Sequence, residues 1–111
     1  MKQNAWIAGV GMTNFTKHSN RTLKSLSIEA IKEALTDARI DSEKIEAAYM
    51  ATAATAITVG QVMVPGQAAL REMGIGKIPV VNVENACASA ATSFQQACTM
   101  VTLGAYDIVL A

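Results

Sequence analysis

The chain alternates between short apolar runs and stretches whose apolar side chains recur at helical spacing. The apolar runs have the length of buried strands and cover residues 5–11, 47–53, 79–84 and 107–111. The helical spacing predicts helices over residues 23–38, 67–73 and 87–103, with Gly74 and Gly104 at the stop positions of the last two. A capped turn is predicted at residues 41–44 and a loop at residues 55–60. This alternation favours an α/β layered fold with a largely parallel sheet.

The third predicted strand runs almost directly into the last predicted helix, with Cys87 at the junction. In α/β folds the chemistry gathers where strands end and helices begin. Unpaired amides at a helix N-terminus favour the thiolate, which is the nucleophilic form of cysteine. The neighbouring residues are all small, which allows a sharp bend: Ala86, Ala88, Ser89, Ala90 and Ala91. Two interpretations remain open here, a catalytic nucleophile and a small side chain that fills space.

The second cysteine serves as an internal comparison. Cys98 lies eleven residues further along the same predicted helix, which puts the two Cα atoms roughly 16 Å apart at about 1.5 Å per residue. Since a disulfide needs Cα atoms within about 7 Å, the two thiols cannot pair within this helix. Cys98 sits between Phe94 and Val101 on a predicted apolar stripe, so we expect it to be a packing residue. His18, the single histidine, lies in a polar stretch and is expected to be solvated.

Composition and charge narrow the class of protein. The 111 residues suffice for one modest domain, and nine basic residues balance nine acidic ones without a basic stretch that could bind nucleic acid. Residues 47–70 and 86–106 lack charge, but glycine, proline and polar side chains interrupt them, so we expect buried helices rather than membrane spans. With two cysteines and no signal peptide, the sequence predicts a cytoplasmic protein with free thiols.

Three segments in succession, "GQAALREMG", "IPVVNVENACASA" and "GAYDIVLA", resemble the opening of the thiolase family. The similarity covers nearly the whole chain and is greatest to the branch of sterol-carrier-like and archaeal thiolases. Positions that match the family pattern in order and spacing are Gly66, Gln67, Arg71, Pro79, Cys87, Ser89, Gly104 and Asp107. The chain departs from it at three positions: Ala90 and Arg39 stand where glycine is usual, and Glu84 stands where many thiolases have asparagine.

The resemblance implies a thiolase-like layered fold, with residues 1–111 as the N-terminal portion of a thiolase domain that is incomplete at its C-terminus. It also implies an acyl-CoA acyltransferase in which Cys87 holds the acyl group covalently, in thiolytic cleavage of a 3-oxoacyl-CoA or in Claisen condensation. Coenzyme A would be a substrate, with no tightly bound cofactor and no metal. In the family a histidine and a second cysteine complete the site, and we expect both beyond residue 111.

The resemblance also implies partners. We expect a homo-oligomer, either a dimer or a dimer of dimers, with the uncharged segment 86–106 near a two-fold interface. Relatives in this branch pair with a small zinc-containing OB-fold protein, which is a second expected partner. The alternatives to a thiolase are a ketoacyl synthase of the same fold, an aldolase-type relative, and a non-catalytic subunit that binds acyl-CoA.

Overall fold

A three-stranded parallel sheet forms the centre of the structure. The computed structural model describes residues 1–111, apart from the side chain of residue 56. The strands are β1 (Ala47–Ala51), β2 (Val80–Val83) and β3 (Val109–Leu110), in the spatial order β2-β1-β3. Tyr49 of β1 lies opposite Val81 of β2, and Ala47 of β1 lies opposite Val109 of β3. The predicted parallel sheet is confirmed, and each of these strands falls within a predicted apolar run.

Four α-helices accompany the sheet in the described part of the chain. They are α1 (Leu23–Ala38), α2 (Thr55–Val59), α3 (Pro65–Glu72) and α4 (Ser89–Thr102), and a single 3-10 turn covers Ser42–Lys44. Thr22 caps α1 through a reciprocal pair of hydrogen bonds with Ser25, which fixes where the helix begins. The prediction of a loop at residues 55–60 is wrong, because α2 forms there. Its threonines, isoleucine and valine are poor helix formers, so the sequence carried no helical signal.

The sheet separates two apolar clusters, one on each face. On one face Ala48 of β1 packs with Ile45, Leu70 and Ile75, and side chains of α1 and α3 cover this cluster. On the other face Tyr49, Val83 and Ala97 pack together, and Ala97 belongs to α4. Because successive side chains of a strand point to opposite faces, Ala48 and Tyr49 divide the core between them. The result is the expected layered α/β arrangement, with helices on both sides of the sheet.

Helix α4 contacts the sheet through a narrow stripe of small side chains. Ser89, Ser93 and Ala97 recur every four residues and are buried, and the Ser93 hydroxyl donates a hydrogen bond to the Tyr49 carbonyl oxygen at 3.1 Å. The predicted apolar stripe through Phe94 is wrong, because that ring is 49% exposed. Along this stripe the side chains are small, which allows the helix to lie close to the strand, and Met100 packs against the Tyr49 cluster near the end of the helix.

The prediction of a strand at residues 5–11 is also wrong, because this segment lies outside the sheet. Its backbone amides bind side chains of α1 instead: Val10 N–H donates to an Asp37 carboxylate oxygen at 2.9 Å, and Met12 N–H donates to Glu33 at 2.7 Å. Meanwhile β3 occupies the edge of β1 that β2 leaves free. The apolar pattern is typical of a strand, but it does not indicate which groups accept hydrogen bonds from the backbone amides.

Helix α3 is tied to β2 by residues of the Gly-Gln pair. Gly66 N–H donates to the Asn82 amide oxygen at 2.8 Å, and the Gln67 amide nitrogen donates to the Val80 carbonyl oxygen at 3.2 Å. A β-carbon on Gly66 would lie 2.7 Å from the Met50 β-carbon. Glycine is therefore required at position 66 by the close approach of α3 to the sheet.

No helix in the described part of the chain is both long and apolar enough to cross a membrane.

Replacing Gly66 with alanine should destabilise the protein by about 1–3 kcal/mol, because the added methyl group meets atoms that cannot move aside cheaply. Gly76→Ala is the matched control, since a β-carbon there has no heavy atom within 4 Å. Urea unfolding of the purified protein checks both variants. Equal stability of the two variants would contradict the packing of α3 described here.

Arg39→Gly should stabilise the protein by about 0.5–1 kcal/mol, because Arg39 ends α1 with φ 55° and ψ 42°, a left-handed conformation that favours glycine. The reverse change, Gly74→Ala, should destabilise it by a similar amount, since Gly74 has φ 76° and open space around it. The midpoint of urea unfolding measures both effects. A loss of stability in Arg39→Gly would show that its side chain outweighs the backbone strain.

Candidate active site

Cys87 lies in the turn that joins β2 to α4. Strand β2 ends at Val83 and α4 begins at Ser89, so five residues make the connection. The thiol-bearing residue is exposed, and neither cysteine is paired in a disulfide. The predicted strand-to-helix position is confirmed, with one adjustment: Cys87 stands two residues before the first residue of the helix rather than within it.

The residue before Cys87 has a strained backbone. Ala86 adopts φ 47°, in the left-handed region. For a residue with a β-carbon this conformation costs roughly 1–2 kcal/mol and persists only where surrounding contacts hold it. The small side chain of alanine keeps this cost low, which gives one physical reason for a small residue at position 86.

Four side chains hold this turn through hydrogen bonds to its backbone or to each other. The Glu84 carboxylate accepts from Ala86 N–H at 2.8 Å. The Ser89 hydroxyl donates to the Ala86 carbonyl oxygen at 2.7 Å and accepts from Asn85 N–H at 2.7 Å. The Asn85 amide nitrogen donates to the Thr92 hydroxyl oxygen at 2.9 Å. At about 0.5–1.5 kcal/mol net for each bond, these contacts are sufficient to offset the strain at Ala86.

The turn projects into solvent rather than into a cavity. Glu84, Asn85 and Ala88 are exposed along with Cys87, and so is Ala90, the position where the family usually has glycine. Two shallow grooves are lined by side chains of α1, and neither includes Cys87.

The other candidate residues lie apart from this turn in the chain and make local contacts. Cys98 is half-buried on α4, beside the buried stripe, and its packing role stays a prediction. The His18 ring nitrogen Nε2 lies 2.8 Å from the Asn14 carbonyl oxygen, within the loop that precedes α1. No group of three or more metal-ligating side chains occurs within the described residues.

The sequence did not reveal the roles of Glu84, Ser89 and Thr92. In the sequence, Ser89 stands out only as a small neighbour of Cys87 and as a position that matches the family pattern. Glu84 stands out only as a departure from that pattern. A serine that reaches back three and four residues to the backbone is a local capping pattern, and this spacing is the signal that could have identified it. The contact of Asn85 with Thr92 depends on the left-handed turn, which the sequence alone does not specify.

The sequence of the chain is similar to a known protein family and to several known proteins. Residues 5–111 match the family model of the thiolase N-terminal domain. The chain is 36% identical to an acetyl-CoA acetyltransferase of Methanocaldococcus jannaschii over 94% of the chain and 26% of that protein. It is 34% identical to sterol carrier protein 2 of Bos taurus, over 100% of the chain and 20% of that protein. It is 31% identical to the benzoylsuccinyl-CoA thiolase subunit BbsB of Thauera aromatica, over 99% of the chain and 27% of that protein.

The chain therefore spans about a fifth to a quarter of the length of these curated relatives. The family model, by contrast, matches the chain from residue 5 to its last residue. On that match, the chain belongs to the thiolase family.

Proposed function

We propose that this chain provides the nucleophile of an acyl-CoA acyltransferase of the thiolase type, and that Cys87 is the covalent acyl carrier. The single observation that carries the proposal is the exposed Cys87 thiol on a strained turn immediately before a 14-residue helix. Helix-end amides favour the thiolate, which is the reactive form. Two relatives whose names describe acyl-CoA chemistry, the acetyl-CoA acetyltransferase and the benzoylsuccinyl-CoA thiolase subunit, support the same assignment.

The proposed reaction has two steps. In the first, the Cys87 sulfur bonds to the carbonyl carbon of an acyl-CoA thioester, the bond from that carbon to the coenzyme A sulfur breaks, and coenzyme A leaves as the free thiol with the cysteine proton. In the second, another acyl-CoA loses an α-proton to a base, which the second cysteine expected beyond residue 111 would supply, and the resulting carbanion bonds to the acyl carbon. The bond from that carbon to the Cys87 sulfur breaks, a 3-oxoacyl-CoA forms, and the proton returns to restore the Cys87 thiol. Thiolytic cleavage is the same sequence in reverse. Splitting the transfer into two steps is the usual advantage of covalent catalysis.

A non-catalytic role is the second candidate, and it has an observation of its own. Several relatives are named for lipid carriage rather than for catalysis, among them sterol carrier protein 2 of Homo sapiens and a non-specific lipid-transfer protein-like 2 of Caenorhabditis elegans. A chain with this role would bind acyl-CoA without acylation of Cys87. The experiment below separates the two candidates.

Brief exposure of the purified protein to an acyl-CoA, followed by peptide mapping, should place the acyl group on Cys87 and leave Cys98 unmodified. The reason is accessibility and position: Cys87 is exposed before the helix, whereas Cys98 is half-buried within it. Cys87→Ala should abolish acyl transfer.

Cys98→Ala is the matched control and should retain activity. Equal labelling of the two thiols, or an active Cys87→Ala variant, would contradict the assignment of the nucleophile. Acyl-CoA that binds without acylating either thiol would favour the non-catalytic role.

We also propose that the protein forms a homo-oligomer through the free edge of β2 and the outer face of α4. Strand β2 pairs only with β1, so one of its edges is open to a further strand. Two large apolar residues of these elements are also exposed: Val81 of β2 exposes 41% of its surface, and Phe94 of α4 exposes 49%. An isologous two-fold contact between copies would cover both. Pairing with a small zinc-containing OB-fold subunit stays a prediction from the sequence.

Sedimentation at micromolar concentration should give a dimer or a dimer of dimers, and Val81→Lys should weaken it because a charge would enter the proposed contact. Val62→Lys is the matched control, since Val62 is an exposed valine of the loop between α2 and α3. A monomer in the unmodified protein, or equal effects of the two lysines, would contradict this interface.

A further inference from the structure

Ser89 uses one hydroxyl group to connect both ends of the left-handed turn. It donates to the Ala86 carbonyl oxygen and accepts from Asn85 N–H, each at 2.7 Å, and the residue is only 4% exposed. The two bonded backbone groups lie on either side of the Asn85–Ala86 peptide link and directly precede Cys87. An alanine at position 89 would leave Asn85 N–H without this partner, and the Ala86 carbonyl oxygen would keep only the backbone N–H of residue 89, at 3.2 Å.

A second buried serine of the same helix does something different. Ser93 lies one turn further along α4, is 1% exposed, and donates its single hydrogen bond across to Tyr49 of β1. It attaches the helix to the sheet and makes no hydrogen bond to the turn. The two serines thus share burial, residue type and helix face, but only Ser89 holds the backbone before Cys87.

We propose that Ser89 is a positioning residue for Cys87. Its hydroxyl fixes Ala86 in the left-handed conformation and so sets the direction in which the Cys87 side chain points. This inference rests on the proposed function, since the direction of the Cys87 side chain affects turnover only if Cys87 is the acyl carrier. Ser89 itself is not assigned any contact with substrate.

Loss of the Ser89 hydroxyl has a definite structural consequence. Ala86 would relax toward right-handed backbone, which any alanine prefers, and α4 would extend toward its N-terminus through Cys87. The sulfur would then lie on the side of the first helical turn instead of ahead of it. A displacement of about 1 Å at a reacting atom is enough to lower a rate about 100-fold.

The test compares Ser89→Ala, Ser89→Thr and Ser93→Ala in the purified protein, with two readouts. The first is kcat and KM for acyl transfer, and the second is the rate at which iodoacetamide alkylates Cys87. Ser89→Ala should lower kcat and the alkylation rate by about 10- to 100-fold with little change in KM, because the thiol is misdirected while the rest of the protein is retained. Ser89→Thr keeps the hydroxyl and should recover part of both rates, since its added methyl group enters a buried position.

Ser93→Ala should lose stability without a comparable loss of either rate. If Ser89→Ala and Ser93→Ala lower the rates equally, the positioning role is wrong and the proposed function still stands. If Cys87 of the unmodified protein is alkylated but never acylated by acyl-CoA, the proposed function is wrong, and the alkylation rates alone then decide the role of Ser89.

One measurement needs no variant, and it tests the hydrogen bond of Ser89 to the Asn85 amide even if Ser89→Ala does not fold. Asn85 is an exposed residue whose N–H is bound by the Ser89 hydroxyl, so this amide should exchange slowly with deuterium in the unmodified protein. Rapid exchange of the Asn85 amide would overturn the proposed contact.

Discussion

The position of Cys87 depends on how closely α4 packs against β1. Ser93 hydrogen-bonds to Tyr49 of β1, Ala97 packs beside that residue, and Met100 completes the contact at the C-terminal end of the helix. The chain passes from β2 into α4 within five residues, and Ala86 adopts the left-handed conformation in this short connection. Of the small residues around the thiol only Ser89 is buried, whereas Ala86, Ala88, Ala90 and Ala91 are exposed. Packing therefore accounts for Ser89 alone, and presentation of the thiol by the others belongs to the proposed function.

This packing also explains why polar groups lie on the buried face of an uncharged helix. A buried hydroxyl without a partner would be costly, but each buried serine has one: Ser93 bonds to Tyr49 of the sheet, and Ser89 bonds to the turn. The first bond fixes where the helix lies, and the second fixes how the chain enters it. Together they relate the core of the domain to the direction of the Cys87 side chain.

The sequence predicted those parts of the fold that follow from periodicity and from strong local signals. The α1 spacing, the β1 and β2 apolar runs, and the glycine stops after α3 and α4 all describe interactions close in the chain. Residues 5–11 were mispredicted as a strand because pairing depends on distant partners, here the carboxylates of Asp37 and Glu33. Of the candidate site, the sequence located Cys87 on its turn. The hydrogen bonds of Ser89 follow a local capping spacing that the sequence does contain, whereas the contact of Asn85 with Thr92 depends on the left-handed backbone at Ala86, which the sequence does not specify.

The central claim is that acyl transfer passes through Cys87, and the kinetics of the acyl-enzyme test it most directly. Rapid-quench experiments with labelled acyl-CoA would follow acyl-Cys87 as it forms, and a chase with coenzyme A would follow its decay. The account predicts that the acyl-enzyme forms and decays at least as fast as the protein turns over. Acylation or decay slower than turnover would show that the reaction proceeds without this intermediate and would contradict the account.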